Sequence, residues 1–265
     1  MCDLYHVVFP GTPVLIAQAG HRPVIANRNH AVFYNGRQIY RRGLLSQEGD
    51  RCLFIEADRE AVEGCAEAWG VPLGTGPRPT FPFVDGPLRG GSYLRQRLLA
   101  RYLDRASCPD DLLVQETALN LIGQAVHDAF AVRGTPARSQ RRSTDAKQAD
   151  LVEHAKELLT LHVGEAIGVD KLARALHVSP FHLARVFRAR TGYSLHRYRS
   201  ELRVRAALDL VEAANDLTRL ALDLGYASHS HFSDGFRRAY AMTPSAYRAN
   251  ARNHDDRAGL RLTRP

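Results

Sequence analysis

The second half of the chain repeats itself. Leu172-Ala173 returns as Leu220-Ala221 and Leu176 as Leu224, an offset of 48 residues. From Ser179 onward the offset is 49: Ser179 is answered by Ser228, Phe187-Arg188 by Phe236-Arg237, Ser194 by Thr243 and Tyr198-Arg199 by Tyr247-Arg248. An extra residue is absorbed in a turn and not inside a packed helix, so the change of offset predicts helix, short turn, helix in each copy. In the first copy Asp170 can cap a helix over 171–176, and Ser179-Pro180 is an N-cap followed by proline at the first helical position. That second helix runs to about Arg190 with Leu183, Val186 and Phe187 inward. In the other copy Thr218 can cap a helix to Leu224, Gly225 ends it, and Ser228 opens a helix through Ala239 that buries Phe232 and Phe236. The stretch between the copies, 194–212, reads as one amphipathic helix. At about 1.5 Å per residue it spans about 28 Å, close to the roughly 34–36 Å of one DNA turn once the flanking units add their width.

Charge divides the chain at the same place. Of 36 basic and 28 acidic residues, 13 and 14 lie in 1–132 and 23 and 14 in 133–265, so the net +8 is −1 in one half and +9 in the other. A basic half beside a near-neutral one fits a nucleic-acid-binding domain joined to a sensing or assembly domain. The segment 133–147 (RGTPARSQRRSTDAK) has almost no large apolar side chains and reads as the linker between a domain over 1–132 and one over 148–250; 251–265 is a basic tail.

Residues 1–57 read as short strands: 4–9, 14–18, 24–26, 30–34, 37–41 and 52–56. Asn35-Gly36 between two of them predicts a tight hairpin, because both central residues of a type I′ turn take positive φ. Asp58 can cap a helix to Trp69. Helical periodicity then covers 92–106 and 110–132, where Leu112, Leu119, Ile122, Val126 and Phe130, widened by Ala118, Ala125 and Ala129, form a stripe that packs in the domain's own core, against a second copy, or in different parts against both.

Several classes are disfavoured. The N-terminus has no basic n-region and its apolar stretch is broken by Pro10, Gly11 and Pro13, so neither a signal peptide nor a membrane span is expected and the protein reads as cytoplasmic. Cys2, Cys52, Cys65 and Cys108 lack the spacing of a zinc finger or a disulfide framework. No H-E-x-x-H, G-x-S-x-G, Walker A or G-x-G-x-x-G pattern supports catalysis, and no cofactor or metal is expected.

The segment Leu220-Ala221, Gly225-Tyr226, Ser230-His231-Phe232-Ser233, Phe236-Arg237-Arg238 and Thr243-Pro244-Ser245-Ala246-Tyr247-Arg248 resembles the AraC/XylS family of transcription regulators. Ser179, His182, Leu183, Arg185 and Phe187, then Thr191-Gly192-Tyr193-Ser194, carry the resemblance upstream. It covers about 148–250 and implies an all-α DNA-binding domain with two helix-turn-helix units joined by a long helix. More loosely, 30–35, Tyr40-Arg41 and Gly49-Asp50 resemble the family's effector domain, implying an α+β chain whose first half is a cupin-like β-barrel with helices. The partners so implied are duplex DNA at promoters, a small-molecule effector, a second copy of the chain and RNA polymerase. An N-terminal half that takes no ligand and serves only self-association stays open beside that reading.

The candidate DNA contacts follow from side-chain chemistry. Arg185 lies opposite Leu183 and Val186 and can take both acceptors of a guanine edge. Phe181 can press on a thymine methyl or a sugar, His182 can reach a phosphate or base edge, Ala184 offers a methyl, and Arg188 and Arg190 suit phosphate. On the second helix His229, Ser230, Ser233 and Asp234 form the exposed N-terminal face, with Arg237 and Arg238 behind. Asp234 can accept from cytosine N4 but repels phosphate, and many members carry a donor at that position. Gly235 costs the helix about 1 kcal/mol relative to alanine. The expectation is that the first unit dominates.

Overall fold

The computed structural model describes residues 4–73, 81–133 and 142–252. Among the described residues the first half contains seven strands and three helices: β1 (Tyr5–Pro10), β2 (Val14–Gln18), β3 (Val24–Ala26), β4 (His30–Tyr34), β5 (Tyr40–Leu44), β6 (Cys52–Ala57), α1 (Arg59–Ala68), β7 (Asp85–Pro87), α2 (Gly90–Arg105) and α3 (Asp111–Arg133). The described residues of the second half form α4 (Arg142–Leu161), α5 (Val169–Ala175), α6 (Pro180–Thr191), α7 (Leu195–Leu210), α8 (Leu217–Asp223), α9 (His229–Tyr240) and α10 (Pro244–Arg252). Among the described residues, no helix is long and apolar enough to cross a membrane.

The strands form two antiparallel sheets, in the orders β6-β1-β4-β7 and β3-β2-β5. Among the described residues no ladder joins them into the closed barrel that the family resemblance implied. Val8, Val32 and Tyr34 from the larger sheet, with Val84 just before β7, meet Val14, Ile16, Val24 and Ala26 from the smaller, so the space between them is filled by side chains. The opposite face of the larger sheet, with Tyr5, Val7, Phe9, Ala31 and Phe33, packs on α1, α2 and α3. Covered on both sides, β4 buries all five residues, which is why it carries an apolar run instead of alternation.

The Asn35-Gly36 hairpin does not form. β4 pairs with β1 and β7 while β5 pairs with β2, so the chain leaves one sheet and enters the other at this point. Asn35 is used differently: its Oδ1 accepts from the Phe81 N–H at 2.7 Å and its Nδ2 donates to the Phe81 carbonyl at 3.2 Å. The positive φ falls on Arg37. Asp58 does cap α1, accepting from the Ala61 N–H at 2.9 Å.

The stripe on α3 turns inward. Leu121, Ile122, Ala125, Val126 and Ala129 are buried against β7, α1 and α2, whereas Leu112 and Leu119 are 74% and 42% exposed. Ile122, Ala125, Val126 and Ala129 of the predicted stripe are thus covered and Phe130 is half-buried on the same core, while Leu113, Thr117 and Leu121 join the buried face beside them. The predicted linker also shrinks: α3 reaches Arg133 and α4 begins at Arg142, while 134–141, the tail 253–265 and Cys2 lie outside the described residues.

The two halves share a core and a set of buried polar contacts. Val204, Leu208, Phe236, Tyr240 and Tyr247 belong to the same cluster as Tyr93, Leu98 and Tyr102. Arg205, on the inner face of α7, is fully buried. Its guanidinium donates to the carbonyls of Arg28 at 2.7 Å and Leu88 at 2.5 Å and to Glu201 at 3.0 Å, and it lies over the Tyr93 ring. One turn on, Asp209 receives Arg28 at 2.8 Å, Arg97 at 2.8 Å and the Tyr93 hydroxyl at 2.9 Å. Burial pushes the Tyr93 hydroxyl far above its ordinary value, so it stays a donor. Lys156 of α4, equally enclosed, lies 3.4 Å from Asp85 and 2.9 Å from Glu153, whose carboxylate accepts from the Ile25 N–H at 2.6 Å. The first half thereby grips the helix that separates the two repeat copies.

Candidate nucleic-acid interface

The repeat is real at the level of backbone hydrogen bonds. After α5, His177 N–H donates to the Arg174 carbonyl at 3.1 Å and Val178 N–H to Ala173 at 3.0 Å; after α8, Gly225 N–H donates to Leu222 and Tyr226 N–H to Ala221, both at 2.9 Å. Each group sits 48 positions from its counterpart, so the residue added in the second copy is Ala227, directly before the N-cap Ser228. This helix ending places one residue in the left-handed region: His177 at φ 54 in the first copy and Gly225 at φ 77 in the second. Only the second site demands glycine, because a Cβ there would lie 2.3 Å from the Gly164 carbonyl oxygen.

The recognition helices are capped alike. Ser179 Oγ accepts from His182 N–H at 3.2 Å to start α6, with Pro180 at the first helical position. Ser228 Oγ accepts from His231 N–H at 3.1 Å to start α9. Two predicted caps differ. Gly168 precedes α5 without a side-chain cap and Asp170 lies in the first turn, while α8 is capped by Asp216, which accepts from Thr218 N–H at 2.7 Å. In both cases the helix is entered two residues before the predicted cap.

Inward, α6 buries Leu183, Val186 and Phe187, and α9 buries Phe232, Phe236 and Tyr240. Outward, α6 shows Phe181 at 79% exposure with Ala184, Arg185 and Arg188, while His182 is half-buried. On α9, His229, Ser230, His231, Asp234, Arg237 and Arg238 are exposed and Ser233 is half-buried. The His231 ring stands edge-on to Tyr226 at 5.4 Å. The connecting helix α7 has 16 residues, about 24 Å at 1.5 Å each, shorter than the predicted 19 because it starts after the Ser194 cap and ends at Leu210.

Not every predicted contact is free to meet DNA. Arg190 is half-buried and paired with the Asp145 carboxylate of α4, which ties α6 to the helix behind it. Asp234 binds Arg237 at 2.7 Å, and the Arg238 Nε donates to the Asp234 carbonyl at 3.3 Å. Both members of the Asp234–Arg237 pair are well exposed, so it contributes little to stability. It does offset one positive charge on the outer face of α9. Part of the basic surplus is structural as well: Arg199 donates to the Ile167 carbonyl at 2.6 Å, and Arg203 to Val163 at 2.8 Å and Glu165 at 2.9 Å, bracing the loop between α4 and α5.

Gly235 has ordinary room for a side chain, since a Cβ would meet the Tyr226 ring at 3.5 Å. Gly235→Ala is therefore expected to raise stability by about 0.5–1 kcal/mol, the usual helix-interior difference. A urea unfolding midpoint that falls instead would show the ring contact to be tighter than this geometry allows.

A family described as "Helix-turn-helix domain" matches residues 172–250, which spans both turns and both recognition helices. The regulatory protein SoxS of Salmonella typhimurium is 32% identical over 99 residues, 37% of this chain and 92% of that protein. The chain belongs to the AraC/XylS family of transcription regulators. SoxS of Escherichia coli K12 is 35% identical over 88 residues, covering 33% of this chain and 82% of that protein. The transcriptional activator RhaS of Escherichia fergusonii is 28% identical over 153 residues, 57% of this chain and 52% of that protein. As an AraC/XylS member the protein is a DNA-binding regulator of transcription, and its relatives are regulators and not enzymes.

Proposed function

We propose that this regulator reads a specific duplex site with α6 and α9 in successive major grooves, α6 supplying most of the discrimination. The observation that carries the reading is the pair of identically capped helices whose outer faces stay open while α7, gripped by the first half, sets their separation. Arg185 is the chief base-reading residue, flanked by Phe181, His182 and Ala184, with Arg188 on phosphate. On α9, His229, Ser230 and Ser233 approach base edges, Arg238 takes phosphate, and Arg237 is shared with Asp234. Arg190 acts through its bond to α4. The domain over 148–250 binds DNA, and the domain over 1–132 is a cupin-like module that works through a small-molecule effector or self-association, in the cytoplasm and beside RNA polymerase. The filled space between the sheets favours an effector site elsewhere in that half. Leu112, on the outer side of α3, favours a self-association surface distinct from the buried part of the stripe.

Binding of the full chain to a selected site should weaken steeply with salt, the logarithm of the constant falling by about 0.9 per neutralised phosphate for each logarithm of salt. Arg188→Ala should lower that slope by about 1 and weaken all sequences alike. A slope unchanged by Arg188→Ala would remove that residue from the phosphate contacts.

A further inference from the structure

A cleft of about 530 Å³ opens between α1 and α3, on the N-terminal half and separate from the recognition helices. Its size lies within the range of small-ligand sites, about 300–1,000 Å³. The apolar lining comes from Ala61, Gly64, Cys65, Ala68, Trp69 and Leu119. Trp69 is held firmly: a Cβ at Gly123 would fall 2.1 Å from its Nε1, so the indole rests directly on the backbone of α3, and the His127 ring packs on it at 5.4 Å. Burial pushes the Cys65 thiol up, leaving it a neutral part of the floor. The charged side chains lining the cleft are Asp58, Glu60 and Glu116, with no Lys or Arg among the described residues there. In a chain of net charge +8 this is a local reversal of sign, beside an indole whose face attracts cations.

We propose that this cleft binds an organic cation with an apolar body, the positive centre held by the Asp58 and Glu60 carboxylates and the body laid against Trp69 and Leu119. This deepens the effector reading given above and rests on it for the consequence to transcription, not for the binding itself. An anion of the same shape is repelled by the rim, and a purely polar cation forgoes the apolar floor.

Trp69 is the chain's single tryptophan, so its emission reports on the cleft without a label. Titration of the full chain with tetraphenylphosphonium should give a saturable change in Trp69 emission, and tetraphenylborate, an anion of like shape, should bind at least about tenfold more weakly. Gly64 faces open space, with no neighbouring atom within 4 Å of the point a Cβ would occupy; Gly64→Leu therefore fills the cleft without a backbone clash and should abolish the response. Glu60→Gln should weaken binding several-fold while thermal unfolding stays as in the parent. The proposal is overturned by an unsaturable response, by equal binding of the borate, or by a Gly64→Leu chain that still responds. It is equally overturned if Trp69 emission shifts with protein concentration alone and Gly64→Leu removes that shift, which would assign the cleft to a second copy. Binding to DNA is read on the same preparation by anisotropy, so an empty cleft and a failed DNA reading give separate results.

Discussion

Arg205→Ala is expected to lower the unfolding free energy by about 3–5 kcal/mol, the cost of breaking a buried, hydrogen-bonded charge site. Arg205 is fully enclosed, and its guanidinium serves the carbonyls of Arg28 and Leu88, the Glu201 carboxylate and the face of Tyr93. Truncation leaves two carbonyls of the first half without this donor and opens a void in α7, and each effect is destabilising alone. Arg205→Lys should recover little, because one ammonium cannot reproduce a planar fork that reaches two carbonyls at once. The matched measurement is urea unfolding at constant slope. A loss below about 1 kcal/mol, the scale of an ordinary exposed contact, would mean that the grip on α7 is not what holds the halves together.

Arg185→Ala should cost about 1–3 kcal/mol in specific binding and flatten sequence preference in one half of the site. The exposed Arg185 projects from the outer face of a helix anchored by Leu183, Val186 and Phe187, so truncation alters chemistry without altering the fold. Asp234→Ala should behave differently. It frees Arg237 from a 2.7 Å ion pair and removes a negative charge near phosphate, so affinity for unrelated DNA should stay level or rise. Binding of both variants to libraries randomised one half-site at a time decides the matter. Greater damage from Asp234→Ala than from Arg185→Ala would assign dominance to α9.

The DNA-binding half is the more legible in sequence because its signals are local. Ser179-Pro180, Ser228 and Gly225 fix helix ends by their own backbone chemistry, and the shift of offset by one residue locates the turns that the hydrogen bonds of Val178 and Tyr226 define. The first half is governed by contacts between distant segments. Asn35-Gly36 has the composition of a hairpin turn, yet its flanking strands join different sheets because β1 and β2 offer better partners than they offer each other. The strand β7 is too short and too proline-bound to announce itself. The apolar pattern of α3 marks Ile122, Ala125, Val126 and Ala129 as buried but misleads at its N-terminal end, where Leu112 and Leu119 are apolar without being covered.

The residues that join the halves leave one sign in the sequence. Tyr198, Leu202 and Arg205 follow the inward spacing of α7, with Asp209 next in that register, and an arginine and an aspartate on a buried face require partners from elsewhere. Arg28, Leu88, Tyr93 and Arg97 supply them from far along the chain, and nothing local in the sequence points to those four. The same long-range pairing explains why Arg190, suited by chemistry to phosphate, is drawn to Asp145.

The most direct test of two coupled reading helices is a hydroxyl-radical and methylation-protection footprint of the full chain on a site selected from random duplex. The prediction is protection in two successive major grooves on one face of the DNA, centred about 10–10.5 base pairs apart, with only the groove nearer α6 losing its base preference in Arg185→Ala. Protection confined to a single groove per chain, or two grooves on opposite faces, would contradict the account.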